Sequence, residues 1–239
     1  MRPALDLLNA VGRMAAGDMV DLGCGNGAMG DALAARAGQR AVIGVDASPA
    51  MLEKARAMPG YSSLQQADIA EWHPHRAPGL IFSNAALHWV GNHEKLLPRL
   101  ADMLAKGGTL AVQMPHQNKA PSHRVWLRLV EEMFPGRVEK MGTPGVMAPV
   151  KYEELLGRRG GFRLWETEYY QRLQAEKGSH PVRRFTESTY ARPILQALDP
   201  DEKATLIARY EEVMSAAYPV RADGSVLFPF RRMFFTLTV

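Results

Sequence analysis

The chain has 239 residues, of which 46% are apolar and 23% charged, and its formal net charge is +4. This composition is ordinary for a globular protein and excludes a disordered or collagen-like chain. A chain of this length removes about 70% of its unfolded surface from water, so its core needs no disulfide or metal. Cys24 is the lone cysteine, which excludes an internal disulfide and predicts a reducing, cytoplasmic location.

The positive charge does not predict a nucleic-acid partner. Basic residues are scattered without a run of five or six, and no aromatic-interleaved RNA-binding motif is present. No apolar stretch approaches the roughly 20 residues of a membrane helix, and Asp6 and Asn9 interrupt the first apolar residues before a signal peptide forms. We therefore expect neither a nucleic-acid nor a membrane partner, and we favour a monomer.

The first two thirds of the chain alternate short apolar runs with amphipathic stretches, the pattern of a parallel sheet with helices between its strands. Strands are predicted at 19–22, 41–45, 63–67, 80–83 and 109–113, and helices at 28–37, from 49 to before 59, and at 94–105. Ser48 is a natural N-cap, and Pro49 fits the first position of a helix.

After Met114 the pattern changes. Helices are predicted at 122–134, at 151–158 and over most of 178–218, and strands at 162–173 and 226–235. Pro229 cannot donate a ladder hydrogen bond, so we expect the last strand to lie at an edge or to contain a bulge. The predicted fold class is α/β, with a doubly wound, mostly parallel seven-stranded sheet.

A glycine-rich turn joins the first predicted strand to its helix, where parallel sheets bind ligands. Gly25 to Gly30 match G-x-G-x-x-G, and Gly23 to Ala28 match G-x-G-x-x-A. Such a match alone is weak and leaves a dinucleotide-binding oxidoreductase open. Asp21 places a carboxylate at the strand end, where it would repel a pyrophosphate. The same carboxylate suits a cationic ligand.

Three acidic residues lie at the ends of successive predicted strands: Asp21, Asp46 and Asp68. A lone aspartate at such a place is more often a turn former than a ligand. Three of them beside one glycine loop favour a binding site.

The segment from Asp21 to Gly27 resembles the first motif of class I S-adenosylmethionine-dependent methyltransferases. The resemblance implies S-adenosylmethionine as cofactor and a Rossmann-like methyltransferase fold. Asp46 resembles the acid that takes both ribose hydroxyls, and Asp68 with Ile69 the pair that contacts adenine. The cofactor-binding residues implied by this resemblance are Asp21, Gly23, Cys24, Gly25, Asn26, Asp46, Ala47, Asp68, Ile69 and Asn84.

Beyond these motifs the chain is similar to trans-aconitate methyltransferases from residue 2 to its end. The segments that carry this similarity are 84–89, 96–100, 107–115, 121–123, 217–219 and 222–232. The resemblance implies methyl transfer to one carboxylate of trans-aconitate, giving a monomethyl ester and S-adenosylhomocysteine. Another small carboxylic acid as substrate, a binding protein without catalysis and an NAD-dependent oxidoreductase remain alternatives.

With this fold we expect a single methyltransferase domain over 1–239. Its cofactor-binding half is predicted at 17–115, helical additions that cover the substrate as a lid at 116–225, and a final edge-region strand at 226–239.

A small anionic carboxylic acid is its own nucleophile, because a carboxylate is ionised at neutral pH, so we expect no general base. His88 is predicted to donate a neutral hydrogen bond to the reacting carboxylate, and Trp89 to exclude water or to pack in the core. Arg192 and Arg231 are predicted to clamp the other carboxylates unless they are solvated surface residues. Alternation along a strand lets only one of Arg231 and Arg232 face a pocket, and we favour Arg231.

No histidine spacing matches a zinc signature, so no metal is expected. Cys24 is predicted to be a small packing residue rather than a nucleophile.

Three features depart from the family pattern. Family members carry a further stretch before the position of Met1, so we expect a truncated start or a more open cofactor site. His88 stands where the family usually has glutamine. The segment 185–190 replaces a less bulky stretch, and Glu187 adds a negative charge where an anionic substrate would pass.

Overall fold

The structure, a computed structural model, describes residues 1–137, 145–175 and 178–239. Its strands are β1 (Met19–Leu22), β2 (Val42–Asp46), β3 (Ser63–Gln66), β4 (Leu80–Asn84), β5 (Thr109–Pro115), β6 (Gly161–Gln174) and β7 (Ser225–Thr238). Its helices are α1 (Arg2–Ala10), α2 (Gly30–Ala37), α3 (Pro49–Arg56), α4 (His93–Asp102), α5 (Pro121–Met133), α6 (Pro149–Leu156), α7 (Pro181–Glu187), α8 (Arg192–Gln196) and α9 (Pro200–Ala217), with a 3-10 helix η1 (Leu87–Trp89). The predicted strands and helices are present with ends shifted by a few residues, and α1 was not predicted.

The strands form one sheet in the order β3-β2-β1-β4-β5-β7-β6. Strands β1 to β5 are parallel, and β7 runs antiparallel to β5. The predicted doubly wound, mostly parallel seven-stranded sheet is confirmed. That the helical insertions form a substrate lid remains a prediction.

Of the two expectations for the last strand, the edge position is wrong, because β7 lies between β5 and β6; the bulge stays a prediction. Its pairing with β5 runs from Arg232, opposite Pro115, to Thr238, opposite Thr109. Pro229 lies outside this paired stretch, so its missing N–H removes no hydrogen bond to β5.

The chain comprises two compact units. The first comprises Met1–Pro115, Pro144–Thr167 and Arg232–Val239, and the second His116–Thr143 and Glu168–Arg231. The half predicted at 17–115 lies within the first unit, whereas the stretch predicted at 116–225 is shared between both units. The three-part organisation expected from the sequence remains a prediction.

In the first unit, α4 and α6 pack on one face of the sheet. Leu97 and Leu100 of α4 are fully buried there, and the Tyr152 ring of α6 stacks on Phe235 of β7 with centroids 5.5 Å apart. Apolar burial of this kind supplies the main stabilising free energy of such a layer.

The core of the second unit is built around Trp126 of α5 and Tyr210 of α9. Their rings stack with centroids 3.7 Å apart, and Trp126 Nε1 donates to Thr186 Oγ1 at 3.0 Å. The indole N–H is therefore satisfied although the ring is fully buried. Within the described part of the chain, no helix has both the length and the apolar character needed to cross a membrane.

Candidate functional site

The glycine turn after β1 is fixed by backbone hydrogen bonds to β2. Gly23 N and Cys24 N both donate to Val45 O, at 2.8 and 2.9 Å. Gly23 has φ +82°, and a Cβ there would lie 2.2 Å from Ala86 Cβ. A side chain cannot fit at this position, so the turn lies directly against the segment that follows β4.

Asp46, the last residue of β2, ties two turns together. Its Oδ2 accepts from Gly25 N and its Oδ1 from Ser48 N, both at 2.9 Å. Each carboxylate oxygen has a further lone pair, so the group can still accept ligand hydroxyls. Ser48 caps α3 as predicted, with Oγ accepting from Met51 N at 3.3 Å.

Asp21 is a buried carboxylate in β1, and it is 3% exposed. Its Oδ2 accepts a 2.6 Å hydrogen bond from the Tyr61 hydroxyl. Burial raises the pKa of Asp21 to about 6; the Tyr61 bond opposes the rise and Asp46 adds to it. Two neighbouring carboxylates, one of them buried, make a place that a cation would stabilise.

Cys24 is buried in the same turn. Burial raises the pKa of its thiol to about 12, and the charges of Asp21 and Asp46 contribute. The thiol is protonated at neutral pH, so it does not supply the thiolate that nucleophilic catalysis needs.

The segment after β3 carries the third acid. Asp68 is exposed, and its Oδ1 accepts from Ala70 N at 2.8 Å, the bond of a turn-forming aspartate. Ile69 is buried. Arg99 of α4 anchors the segment by donating to Ile69 O and Trp72 O, each at 2.7 Å.

Buried polar atoms without a hydrogen-bond partner lie at and just beyond the ends of β4 and β5. In the part of the chain that the structure describes, these atoms include Asn84 Oδ1, His88 Nδ1 and both amide atoms of Gln113. Each such group costs about 1–3 kcal/mol of folding free energy. Ligand atoms that supplied the missing partners would recover this cost.

His88, in η1, is buried and neutral. Burial lowers the pKa of the imidazole to about 4, and the charges of Arg232 and His93 contribute. The ring lies 4.6 Å from that of Trp89. Trp89 is 65% exposed, so the interpretation of this residue as core packing is wrong.

A buried histidine of α4 anchors η1. His93 Nε2 lies 2.8 Å from Leu87 O, to which it donates, and Nδ1 accepts from the Tyr152 hydroxyl at 2.7 Å. Gly145 N donates to His88 O at 3.0 Å. These bonds fix the backbone that carries His88.

The arginines predicted as a clamp lie in different surroundings. Arg192 is exposed at the start of α8. The Arg231 side chain is 52% exposed and lies 3.5 Å from Glu168. Arg232 is half-buried, and its charge acts on His88. The structure therefore puts Arg232 rather than Arg231 in electrostatic contact with His88.

Glu187, expected to repel an anionic substrate, is paired with cations. Its Oε2 lies 2.5 Å from Arg183 and 3.5 Å from Arg184. The two guanidinium groups offset its negative charge.

This chain is similar to known methyltransferases. A family model for a methyltransferase domain matches residues 19–108. A trans-aconitate 2-methyltransferase from Methylobacterium nodulans is 41% identical over 98% of this chain and 91% of its own length. Another trans-aconitate 2-methyltransferase, from Klebsiella pneumoniae, is 36% identical over 98% of this chain and 90% of its own length.

The chain belongs to the trans-aconitate 2-methyltransferase family. The resemblance to class I S-adenosylmethionine-dependent methyltransferases is confirmed, and with it the enzyme class.

Solved structures show the same fold. The YcgJ protein of Bacillus subtilis matches with a TM-score of 0.62 at 14% identity, over 100% of this chain and 98% of that one. Phosphoethanolamine N-methyltransferase 2 of Haemonchus contortus, solved with S-adenosyl-L-methionine, matches with a TM-score of 0.55 at 17% identity. The match covers 99% of this chain and 52% of that one.

The sequence did not point to three residues that lie beside the predicted site residues: Tyr61, which donates to Asp21, Arg99, which anchors the segment after Asp68, and Gln113, which lies opposite Asn84. Tyr61 and Arg99 act on partners distant in the chain, which no local pattern indicates. Gln113 had a readable signal, because it is a lone amide in an apolar predicted strand.

Proposed function

We propose that this chain transfers the methyl group of S-adenosylmethionine to one carboxylate of trans-aconitate, giving a monomethyl ester and S-adenosylhomocysteine. The observation that carries the proposal is the 34–41% identity to trans-aconitate 2-methyltransferases over 98% of the chain.

The residues of the glycine turn and the strand ends suit the methyl donor. When bound, S-adenosylmethionine supplies a methyl group on a positively charged sulfur. The buried Asp21 carboxylate would stabilise positive charge, and Asp46 keeps lone pairs for ribose hydroxyls. The residues that we propose hold it are Asp21, Gly23, Cys24, Gly25, Asn26, Asp46, Ala47, Asp68, Ile69 and Asn84.

The attacking group is the carboxylate of the substrate, which is ionised at neutral pH. An oxygen–carbon bond forms as the sulfur–carbon bond breaks, and no proton moves, so the chain needs no general base. Alignment of the reacting atoms contributes up to about 7–11 kcal/mol to such a transfer.

His88 suits the position beside the reacting oxygen. Its pKa of about 4 keeps the imidazole neutral, so its N–H holds the carboxylate without a full positive charge that would weaken the nucleophile. We propose that Trp89, next to His88, shields this place from water.

The other carboxylates of the acid need fixed positive charge. We propose Arg232 for this role in place of Arg231, since the Arg231 guanidinium lies near Glu168. Arg192 remains a proposed clamp residue.

Transfer of labelled methyl from S-adenosylmethionine to trans-aconitate tests the proposal. We expect label in the acid that mild base releases, as from an ester. Asp46→Ala is expected to lose both S-adenosylhomocysteine binding and transfer. Asp31→Ala, an exposed change on α2, serves as the matched control and should behave like the unmodified chain.

Other results would favour the alternatives. Label in a different small acid would replace trans-aconitate as substrate. Binding of S-adenosylhomocysteine without transfer to any acid would indicate a binding protein, and binding of NAD with hydride transfer an oxidoreductase.

We also propose that the enzyme works in the cytoplasm as a monomer without a nucleic-acid partner. The lone Cys24 and the scattered basic residues support this. Sedimentation of the purified chain tests the oligomeric state.

A further inference from the structure

Gln113 is a fully buried amide in a strand whose other buried positions are almost all apolar. It is 0% exposed in β5, among Leu110, Ala111, Val112 and Met114. Among the residues that the structure describes, neither Gln113 Oε1 nor Nε2 finds a hydrogen-bond partner. An apolar side chain of the same length would fill this place without an unsatisfied group, so packing does not explain a glutamine.

Other polar groups converge on the same end of the sheet. Asn84, with its unsatisfied Oδ1, lies opposite Gln113 in the register of β4 and β5, so both project from one face. Arg232 lies two residues before Phe234, which is opposite Gln113, and so shares that face. His88 follows β4 in η1 and interacts with the Arg232 charge.

We propose that Gln113 binds the reacting carboxylate of the acid substrate, together with His88 and beside Asn84 and Arg232. This inference rests on the proposed function. Gln113 Nε2 and the His88 N–H are neutral donors, so they orient the carboxylate and leave its oxygen nucleophilic. The Asn84 carbonyl oxygen suits the positively charged methyl donor, and Arg232 suits a second carboxylate.

A structural role and a binding role for Gln113 predict opposite changes in stability when the amide is removed. If the amide serves the acid, Gln113→Met removes unsatisfied groups and stabilises the protein while it weakens acid binding. If the amide serves the fold, the same change destabilises the protein.

The experiment measures thermal unfolding and acid binding separately. For Gln113→Met we expect Tm to rise by about 2–4 °C. Calorimetry with protein saturated with S-adenosylhomocysteine should show trans-aconitate binding weakened about tenfold or more. The affinity for S-adenosylhomocysteine itself should not change.

Gln117→Met is the matched control. Gln117 is also buried, but its Nε2 donates to Pro229 O at 2.8 Å. We expect this variant to have a lower Tm and an unchanged affinity for the acid.

Gln113→Glu gives an independent reading with a side chain of the same length. As pH rises, the introduced carboxyl group ionises and repels the carboxylate of the acid, so acid binding should weaken progressively. A packing role would leave the pH dependence of acid binding the same as in the unmodified chain. An affinity equal to that of the unmodified chain at every pH would overturn the proposal.

The outcomes separate this inference from the proposed function. Unchanged acid binding by Gln113→Met, or weaker binding together with a lower Tm, overturns the inference. If the unmodified chain binds the acid in a Gln113-dependent way but transfers no methyl, the proposed function fails, and only the acid-binding role of Gln113 stands. If the unmodified chain binds no tricarboxylate, both fail.

Discussion

Asp21 is a buried carboxylate whose ionisation depends on the groups around it. Its pKa of about 6 lies above the usual 3.8, so the ionised carboxylate destabilises the folded state at neutral pH, and protonation below about pH 6 removes that cost. A cationic ligand favours the ionised form and lowers the pKa again. Ligand affinity is therefore coupled to this proton.

We predict that the Kd of S-adenosylmethionine is nearly constant above pH 6 and rises up to about tenfold per unit as pH falls below 6, because protonated Asp21 must release its proton. Tyr61→Phe removes the hydrogen bond that lowers the pKa of Asp21. The Kd should therefore begin to rise at a higher pH in this variant. Calorimetry in buffers of different ionisation heat measures both. Asp21→Asn, the control, should lose this dependence, and an equal dependence there would exclude Asp21 as its source.

Gly23 and Gly25 both have positive φ, +82° and +54°, but they differ in the space available for a side chain. A Cβ at Gly25 meets no atom within 4 Å, so Gly25→Ala should cost about 1–2 kcal/mol for its backbone alone. Gly23→Ala adds the overlap with Ala86, about 1–3 kcal/mol more. Urea unfolding of the two variants measures the difference, and equal losses would contradict the close approach.

At the level of single residues, the sequence predicted the residues whose chemistry and chain position coincide, such as Asp46 at a strand end and Ser48 as a cap. Tyr61 could not be predicted, because its role depends on its 2.6 Å contact with Asp21, 40 positions away. The choice between Arg231 and Arg232 depended on the register of β7 with β5, which alternation alone does not give.

Among the elements, α9 has the most complete start. The Asp199 side chain accepts from Asp201 N and Glu202 N, and the Glu202 side chain accepts from Asp199 N in return. This capping box satisfies N–H groups that have no partner within the helix.

We expect Asp199→Ala to lower the free energy of unfolding by about 0.5–2 kcal/mol. Asp199→Asn keeps a capping oxygen and should lose much less. Neither change should alter S-adenosylhomocysteine binding. Chemical denaturation gives the stabilities, and the same loss in both variants would show that the cap bond is not the cause.

Elements with regularly spaced apolar residues or with a glycine turn at their end were predicted well. Examples are α4, which ends shortly before Lys106-Gly107-Gly108, and β5 after it. The position of β7 was not, because insertion between β5 and β6 is a property of the whole sheet. A proline in a strand lacks the N–H that would donate to a neighbouring strand. Pro229 has no residue of β5 opposite it, so its missing N–H costs no hydrogen bond to β5.

Across the whole molecule, the first unit alone contains Asp21, Asp46, His88, Gln113 and Arg232. In the proposed function, this unit supplies the carboxylates for a positively charged donor and the neutral donors for an anionic acceptor. The proposed reaction needs no general base, because the two ligands carry the reacting charges.

Mass spectrometry of the product from trans-aconitate labelled with ¹⁸O in its carboxylates, with a CD₃-labelled methyl donor, tests this account most directly. The account predicts one CD₃ group per acid and, after mild base hydrolysis, methanol that contains both CD₃ and ¹⁸O, because the intact carboxylate oxygen attacks the methyl carbon. A chain that binds S-adenosylhomocysteine but yields an acid without CD₃, or releases methanol without ¹⁸O, would contradict it.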